Sequence, residues 1–340
     1  MNAKLILPAL LLTAFDAVTQ IPNYPIIGQI VRIDPRFDKL IPKEAKIEVL
    51  ASGFAWTEGP VWVKNGGDGQ GSFLLFSDVP QNIIFKWTEK AGVTPFLKPS
   101  GYTGLGPYSD EPGSNGLTVD RQGRLIACEH GDRRVTAMPL NGSGGKQTLA
   151  DNVNGKRFNS PNDVVAHSNG SYYFTDPPYG MPKKENDSSR ETEGFGVYRI
   201  SPDRKVSVIT YELTRPNGIA LSPDEKTLYV AQSDPNRPVI MAYPLQADGS
   251  AGKGRVVFGA DGLKKQGLQG GFDGMKVDRE GNLWATGPGG VLVLSPDGEF
   301  LGHLKIGGAT ANCAWGDDGS TLYITADMYL CRIRTTAKGW

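Results

Sequence analysis

The stretch Arg215-Pro216-Asn217-Gly218-Ile219-Ala220-Leu221 turns at Pro223-Asp224 and returns as Leu228-Tyr229-Val230-Ala231. A carboxamide residue and a glycine open an apolar run of strand length, and a second apolar strand follows the turn. The pattern recurs along the chain. Ser114-Asn115-Gly116-Leu117-Thr118-Val119 leads to Leu125-Ile126-Ala127, and Pro161-Asn162-Asp163-Val164-Val165 leads to Tyr172-Tyr173-Phe174-Thr175. Phe272-Asp273-Gly274-Met275-Lys276-Val277 leads to Leu283-Trp284-Ala285, and Ala311-Asn312-Cys313-Ala314-Trp315 leads to Leu322-Tyr323-Ile324. A divergent first copy is Thr57-Glu58-Gly59-Pro60-Val61-Trp62 with Phe73-Leu74-Leu75-Phe76.

Six copies at intervals of roughly 40 to 57 residues match the ~40–50 residues of a four-stranded propeller blade. Helical periodicity beyond two turns is nearly absent. The expected fold is all-β, a six-bladed β-propeller over residues 46–336, with 21–45 as an N-terminal extension. Two packed sandwiches are the alternative, but they do not explain the regular spacing. In a propeller the innermost strands surround a central channel, so equivalent positions of different repeats converge there. Those positions read Glu58, Asn115, Asn162, Asn217, Asp273 and Asn312. All are carboxylates or carboxamides, the ligands a hard cation prefers, and two acids balance a divalent charge. Asn-Gly and Asp-Gly pairs are also common turn formers. Here, however, they open strands at one phase of the repeat, and the hairpin turns come later.

Composition narrows the function. The 340 residues carry 36 basic and 36 acidic side chains and only three histidines. A zero net charge gives no general attraction to nucleic acid. No run of ~18 apolar residues exists for membrane insertion. There is no Gly-x-Ser-x-Gly elbow, His-Glu-x-x-His pair, P-loop or dinucleotide fingerprint, and Gly67-Asp68-Gly69-Gln70-Gly71 reads as a hairpin loop. Metal-assisted hydrolysis of an ester is what remains, with Asp273 as the expected base and Asn115 and Asn162 holding the substrate's oxygens. Two long segments, 100–113 and 177–194, flank these positions as lids or surface insertions. From them and nearby, Tyr179 and His130 are expected substrate contacts, with a structural role the alternative for His130.

These motifs resemble the senescence marker protein/gluconolactonase family, which includes luciferin-regenerating enzymes. The similarity rests on Glu58-Gly59-Pro60-Val61-Trp62, Asn115-Gly116-Leu117-Thr118-Val119-Asp120, Asn159-Ser160-Pro161-Asn162-Asp163, Pro216-Asn217-Gly218 and Phe272-Asp273-Gly274-Met275. The Asn115 motif is of the bacterial gluconolactonase type. The resemblance implies one divalent ion, Ca²⁺ foremost with Mg²⁺, Mn²⁺ or Zn²⁺ as alternatives, held by Glu58, Asn217 and Asp273. It implies Asn162 as a further ligand or a substrate contact, and a sugar lactone as the substrate. Animal members carry Arg-Phe-Asn-Asp-Gly in the third blade. Here Arg157-Phe158-Asn159-Ser160-Pro161 stands instead, so the family's arginine contact is not assigned to Arg157. A propeller esterase or organophosphate hydrolase with the same ion, or a binding propeller with a structural ion, are the other readings.

Lys4 and the apolar run Leu5 to Phe15 have the proportions of a signal peptide within residues 1–20, and the expectation is periplasmic or secreted. An ordinary N-terminal element in a cytoplasmic protein is the alternative. Cys128, Cys313 and Cys331 are odd in number, which leaves a thiol free and a Cys313–Cys331 bridge open.

Overall fold

Each repeat becomes one antiparallel sheet, because its short apolar runs alternate with turns that only hairpins satisfy. A computed structural model describes residues 23–66 and 71–340. The apolar leader run and most of the 67–71 loop lie outside the described residues. Blade 1 comprises Thr57–Val63, Phe73–Asp78, Ile83–Thr88 and Gly92–Leu97, and blade 2 Ser114–Val119, Arg124–Glu129, Arg134–Pro139 and Gln147–Ala150. Blades 3 and 4 begin with Val164–Ala166 and Pro216–Leu221 and have four strands each. Blade 5 runs outward from Met275–Val277 to Phe300–Lys305 and gains Gln29–Arg32 as a fifth strand. The last blade takes Asn312–Gly316, Thr321–Ala326 and Tyr329–Arg334 from the C-terminal end of the chain. Its fourth strand, Ile47–Ser52, comes from the other end and pairs Glu48 with Arg332 and Ser52 with Tyr329. Ile26–Ile27 adds to that strand in turn.

The first strand of every blade touches the first strands of both neighbours, so the six close into a ring. The protein is a six-bladed β-propeller, as the repeat spacing predicts. Six clusters of buried apolar side chains fill the interfaces between successive blades. One joins Ala220 and Tyr229 of blade 4 to Met275 and Leu283 of blade 5. Another joins Leu74 and Phe76 of blade 1 to Tyr323 and Leu330 of the last blade, and so seals the ring. Sheets covered on both faces explain strands such as Phe73–Asp78 and Val291–Leu294, which are buried at every position.

All three cysteines are free and buried. Cys313 and Cys331 pair with Ile324 from opposite sides. They therefore lie two interstrand spacings apart, about 9–10 Å, beyond the ~7 Å a disulfide spans. The bridge left open by the sequence is thereby removed.

Candidate functional site

Four of the six equivalent residues lie within innermost strands, and Asn162 and Asp273 stand two residues ahead of theirs. At three of them the pairing with the second strand slips, between Glu58 and Val61, Ser114 and Leu117, and Pro216 and Ile219. A bulge bends the strand and re-aims the side chain, here toward the axis. The glycines after these residues serve close approach. A Cβ on Gly218 would lie 2.0 Å from the Asp273 carbonyl oxygen of the next blade, to which the Gly218 N–H donates at 2.9 Å. Gly116 and Gly274 abut the next blade in the same way, with N–H bonds to the Asn162 and Ala311 carbonyls of 2.6 and 2.7 Å. Gly218→Ala is therefore expected to cost about 1–3 kcal/mol and to misplace Asn217 and Asp273 together. Thermal melting and turnover should fall in parallel.

Hydroxyls from second strands complete the frame. Ser77 Oγ donates to the Asn115 carbonyl at 2.9 Å and Thr175 Oγ1 to the Asn217 carbonyl at 2.6 Å, each in the following blade. Thr175→Val keeps the shape and leaves a buried acceptor unpaired, an expected loss of about 1–3 kcal/mol in urea unfolding.

These elements surround an axial cavity of about 250 Å³. Glu58, Asn115, Asn162, Asn217, Asp273 and Tyr179 all line it, so positions 58 to 273 of the chain meet in one space. Trp56, Glu111, Ser233 and Phe272 complete much of the wall. Asn312, the sixth equivalent position, is not among the lining residues. Its Nδ2 lies 3.4 Å from Glu58 Oε2, and its Oδ1 accepts from the Cys313 N–H at 2.9 Å. It supports a cavity carboxylate from behind. Asp163 lies beside it, held by the N–H groups of Val164 at 2.9 Å and Ile219 at 3.3 Å.

Burial pushes the Glu58 carboxyl up to about 8; the Gly59 N–H, 2.9 Å from Oε2, opposes the shift and the charge of Asp163 adds to it. Asp273 is held well above the usual carboxylate range by burial and then by its neighbours Glu58 and Asp163. Two crowded acids of this kind cannot both ionise cheaply without a cation between them. The amides carry a matching signal: Asn115 Oδ1 and Asn162 Oδ1 are buried and accept no hydrogen bond. Uncommitted buried oxygens are rare in native interiors, and beside two carboxylates they make a donor set that fits a hard divalent ion. Among the described residues no group of three or more His, Cys, Asp or Glu side chains is placed to hold a metal by itself, so carboxamide oxygens are needed to complete the donor set, unlike a zinc-type site.

Tyr179 hydrogen-bonds to Ser233 through its hydroxyl, and burial raises its pKa to about 12. His130 lies outside the lining. It is fully buried, and its Nδ1 sits 3.1 Å from the Glu111 carbonyl oxygen. Burial lowers its pKa to about 4 from 6.5, so the imidazole is neutral. In the unfolded chain it takes a proton at higher pH, so the stability conferred by the neutral ring is present above 6.5 and lost as pH falls toward 4. Urea midpoints should drop over that window by the equivalent of about 3 kcal/mol, and His130→Gln should flatten the dependence. Arg157 is exposed and reaches the Asp132 carbonyl at 3.0 Å, away from the cavity. The 177–194 segment is an ordered loop, tied down by Arg133 to Ser189 and by Glu191 to the Arg157 N–H at 2.8 Å.

The profile of the SMP-30/gluconolactonase/LRE-like region matches residues 56–327. A gluconolactonase of Zymomonas mobilis is 43% identical over 324 residues, spanning 93% of this chain and 89% of its own. A lactonase drp35 of Staphylococcus aureus is 31% identical, covering 77% of this chain and 73% of its own. Among solved structures, a gluconolactonase of Xanthomonas campestris superposes with a TM-score of 0.77 at 30% identity, over 92% of this chain and 98% of that one.

Proposed function

The chain belongs to the SMP-30/gluconolactonase/LRE-like family, and on that premise we propose that its axial cavity opens an aldono-lactone with the help of a divalent ion. Hydrolysis of a sugar lactone is the activity of the chain, given 43% identity to a gluconolactonase across most of its length. The ion and the division of labour among residues are our reading. One observation carries it: the buried acids Glu58 and Asp273 share a cavity with two carboxamide oxygens that lack any partner.

Glu58, Asn217 and Asp273 would hold the ion, with the Asn162 oxygen a further ligand or a substrate contact. Ca²⁺ suits such a set best because every donor is oxygen, Mg²⁺ and Mn²⁺ are alternatives, and Zn²⁺, which favours nitrogen and sulfur ligands, fits it least. A bound divalent ion supplies polarisation of the ester carbonyl and charge stabilisation for the oxyanion. Asp273 takes the proton of the attacking water through its carboxylate. Asn115 and Asn162 orient the lactone, and Trp56, Tyr179 and Phe272 pack around its ring. A cavity of about 250 Å³ lies just below the ~300–1,000 Å³ of most ligand pockets, and suits one monosaccharide-sized ring. The carboxylate, carboxamide and hydroxyl lining favours a hydroxylated substrate over the greasy esters of a propeller esterase or organophosphate hydrolase. From Lys4 and Leu5–Phe15 we further infer export, which the intact mass of protein from the periplasmic fraction tests.

A pH-stat assay on glucono-1,5-lactone, an aryl ester and an aryl phosphotriester tests the assignment. Turnover of the lactone well above the other two is expected. Phosphotriester or aryl ester turnover without lactone turnover would move the site to the other hydrolase class.

A further inference from the structure

We propose that Glu111 is the specificity residue of the cavity: it accepts hydrogen bonds from the hydroxyls of a sugar lactone and repels the carboxylate formed on ring opening. The proposal rests on the reading of the cavity as the lactone site. Glu111 comes from the 100–113 loop, so it has no counterpart at the repeat positions, yet its side chain lines the same space as Glu58 and Asp273. Its side chain is part-exposed, whereas Glu58 is buried, so it stands nearer the mouth.

Two features make it a ligand-facing group. Its carboxylate has no hydrogen bond to another described residue, and the ring nitrogen His130 Nδ1 stands 4.0 Å from it. That imidazole is neutral, and its Nδ1 is engaged by the Glu111 carbonyl oxygen at 3.1 Å. An ionised carboxylate is an acceptor with about four lone-pair sites, and here they are left for a ligand. The backbone beneath it, in contrast, is fixed. Gly113 N–H donates to Val79 O at 3.0 Å, Gly131 N–H to Pro112 O at 3.1 Å and His130 N–H to Gly113 O at 3.1 Å. Asn82 Oδ1 collects the N–H groups of Ser100, Gly101 and Tyr102 at 2.8–3.2 Å. Acceptor oxygens on a rigid support give orientation at small entropic cost. Burial weakens the acidity of Glu111, and the charge of Lys184 works the other way.

A fixed acceptor of this kind distinguishes ligands by chemistry. A neutral polyol lactone offers it hydroxyl donors, an unsubstituted lactone offers none, and an aldonate brings a like charge. The experiment compares wild type with Glu111→Gln and Glu111→Asp on glucono-1,5-lactone and δ-valerolactone, with gluconate as the product inhibitor. For Glu111→Gln we expect kcat/KM on the glucono-lactone to fall about tenfold, with δ-valerolactone altered less than twofold. Gluconate should inhibit about tenfold more tightly, and Glu111→Asp should keep the wild-type product inhibition. Equal changes on both lactones with an unaltered inhibition constant would overturn the proposal. Titration calorimetry of gluconate needs no turnover. If wild type opened no lactone, the lactonase reading would fail by itself, and the gluconate affinities of wild type and Glu111→Gln would still decide the role of Glu111.

Discussion

Asp273→Asn is expected to lower lactone turnover by about 10²- to 10⁴-fold, the span that a positioned general base contributes. Asparagine keeps the shape and one oxygen but cannot take a proton from water at neutral pH. The fold should survive, because the Asp273 contacts that join blades 4 and 5 run through its backbone carbonyl to the Gly218 N–H. The substitution also removes an acid whose pKa burial and the charges of Glu58 and Asp163 push up. In the presence of a chelator, the variant should therefore melt at or above the wild-type temperature while remaining inactive. Turnover within a factor of three of wild type would remove Asp273 from the base role.

Exhaustive chelation should bring wild-type turnover to the uncatalysed rate, with recovery on adding back Ca²⁺. It should also lower the melting temperature. A ligand present at a hundred times its Kd stabilises the folded state by about 2.7 kcal/mol, worth several degrees in a domain of this size. The thermal shift is independent of chemistry, so it separates an ion at the axis from an impurity in the assay. Glu58→Gln should shrink the increment. Identical melting curves and rates with and without chelator would mean that the crowded acids share a proton instead of a metal.

Repetition is what made the fold and most of the cavity readable. Asn115, Asn162, Asn217 and Asp273 stand at one phase of a pattern that also fixes the blades, so recognising the pattern locates them on the axis. Where repetition ends, so does the legibility. Trp56, Glu111 and Ser233 reach the cavity from connecting segments whose course depends on packing, and no periodicity marks them. Asn312 matches its counterparts in sequence, but the Cys313 N–H and Glu58 claim its carboxamide. Such competition between a backbone donor and a cavity is decided at the scale of single ångströms. The glycines were ambiguous for a related reason. Asn-Gly reads as a turn, and only the carbonyl of the adjoining blade reveals that the missing side chain is what lets two strands meet.

The Ile47–Ser52 strand has a temporal meaning as well as a spatial one. It waits for Tyr329–Arg334, which is synthesised after all the other blades, and Glu58 follows Ile47–Ser52 by only a few residues. Until that zipper shuts, Glu58 and Asn312 belong to opposite ends of an open necklace. Contacts so distant along the chain form late. On the proposed reading, the ion's ligands meet only when the ring has closed, so metal binding would report a completed propeller.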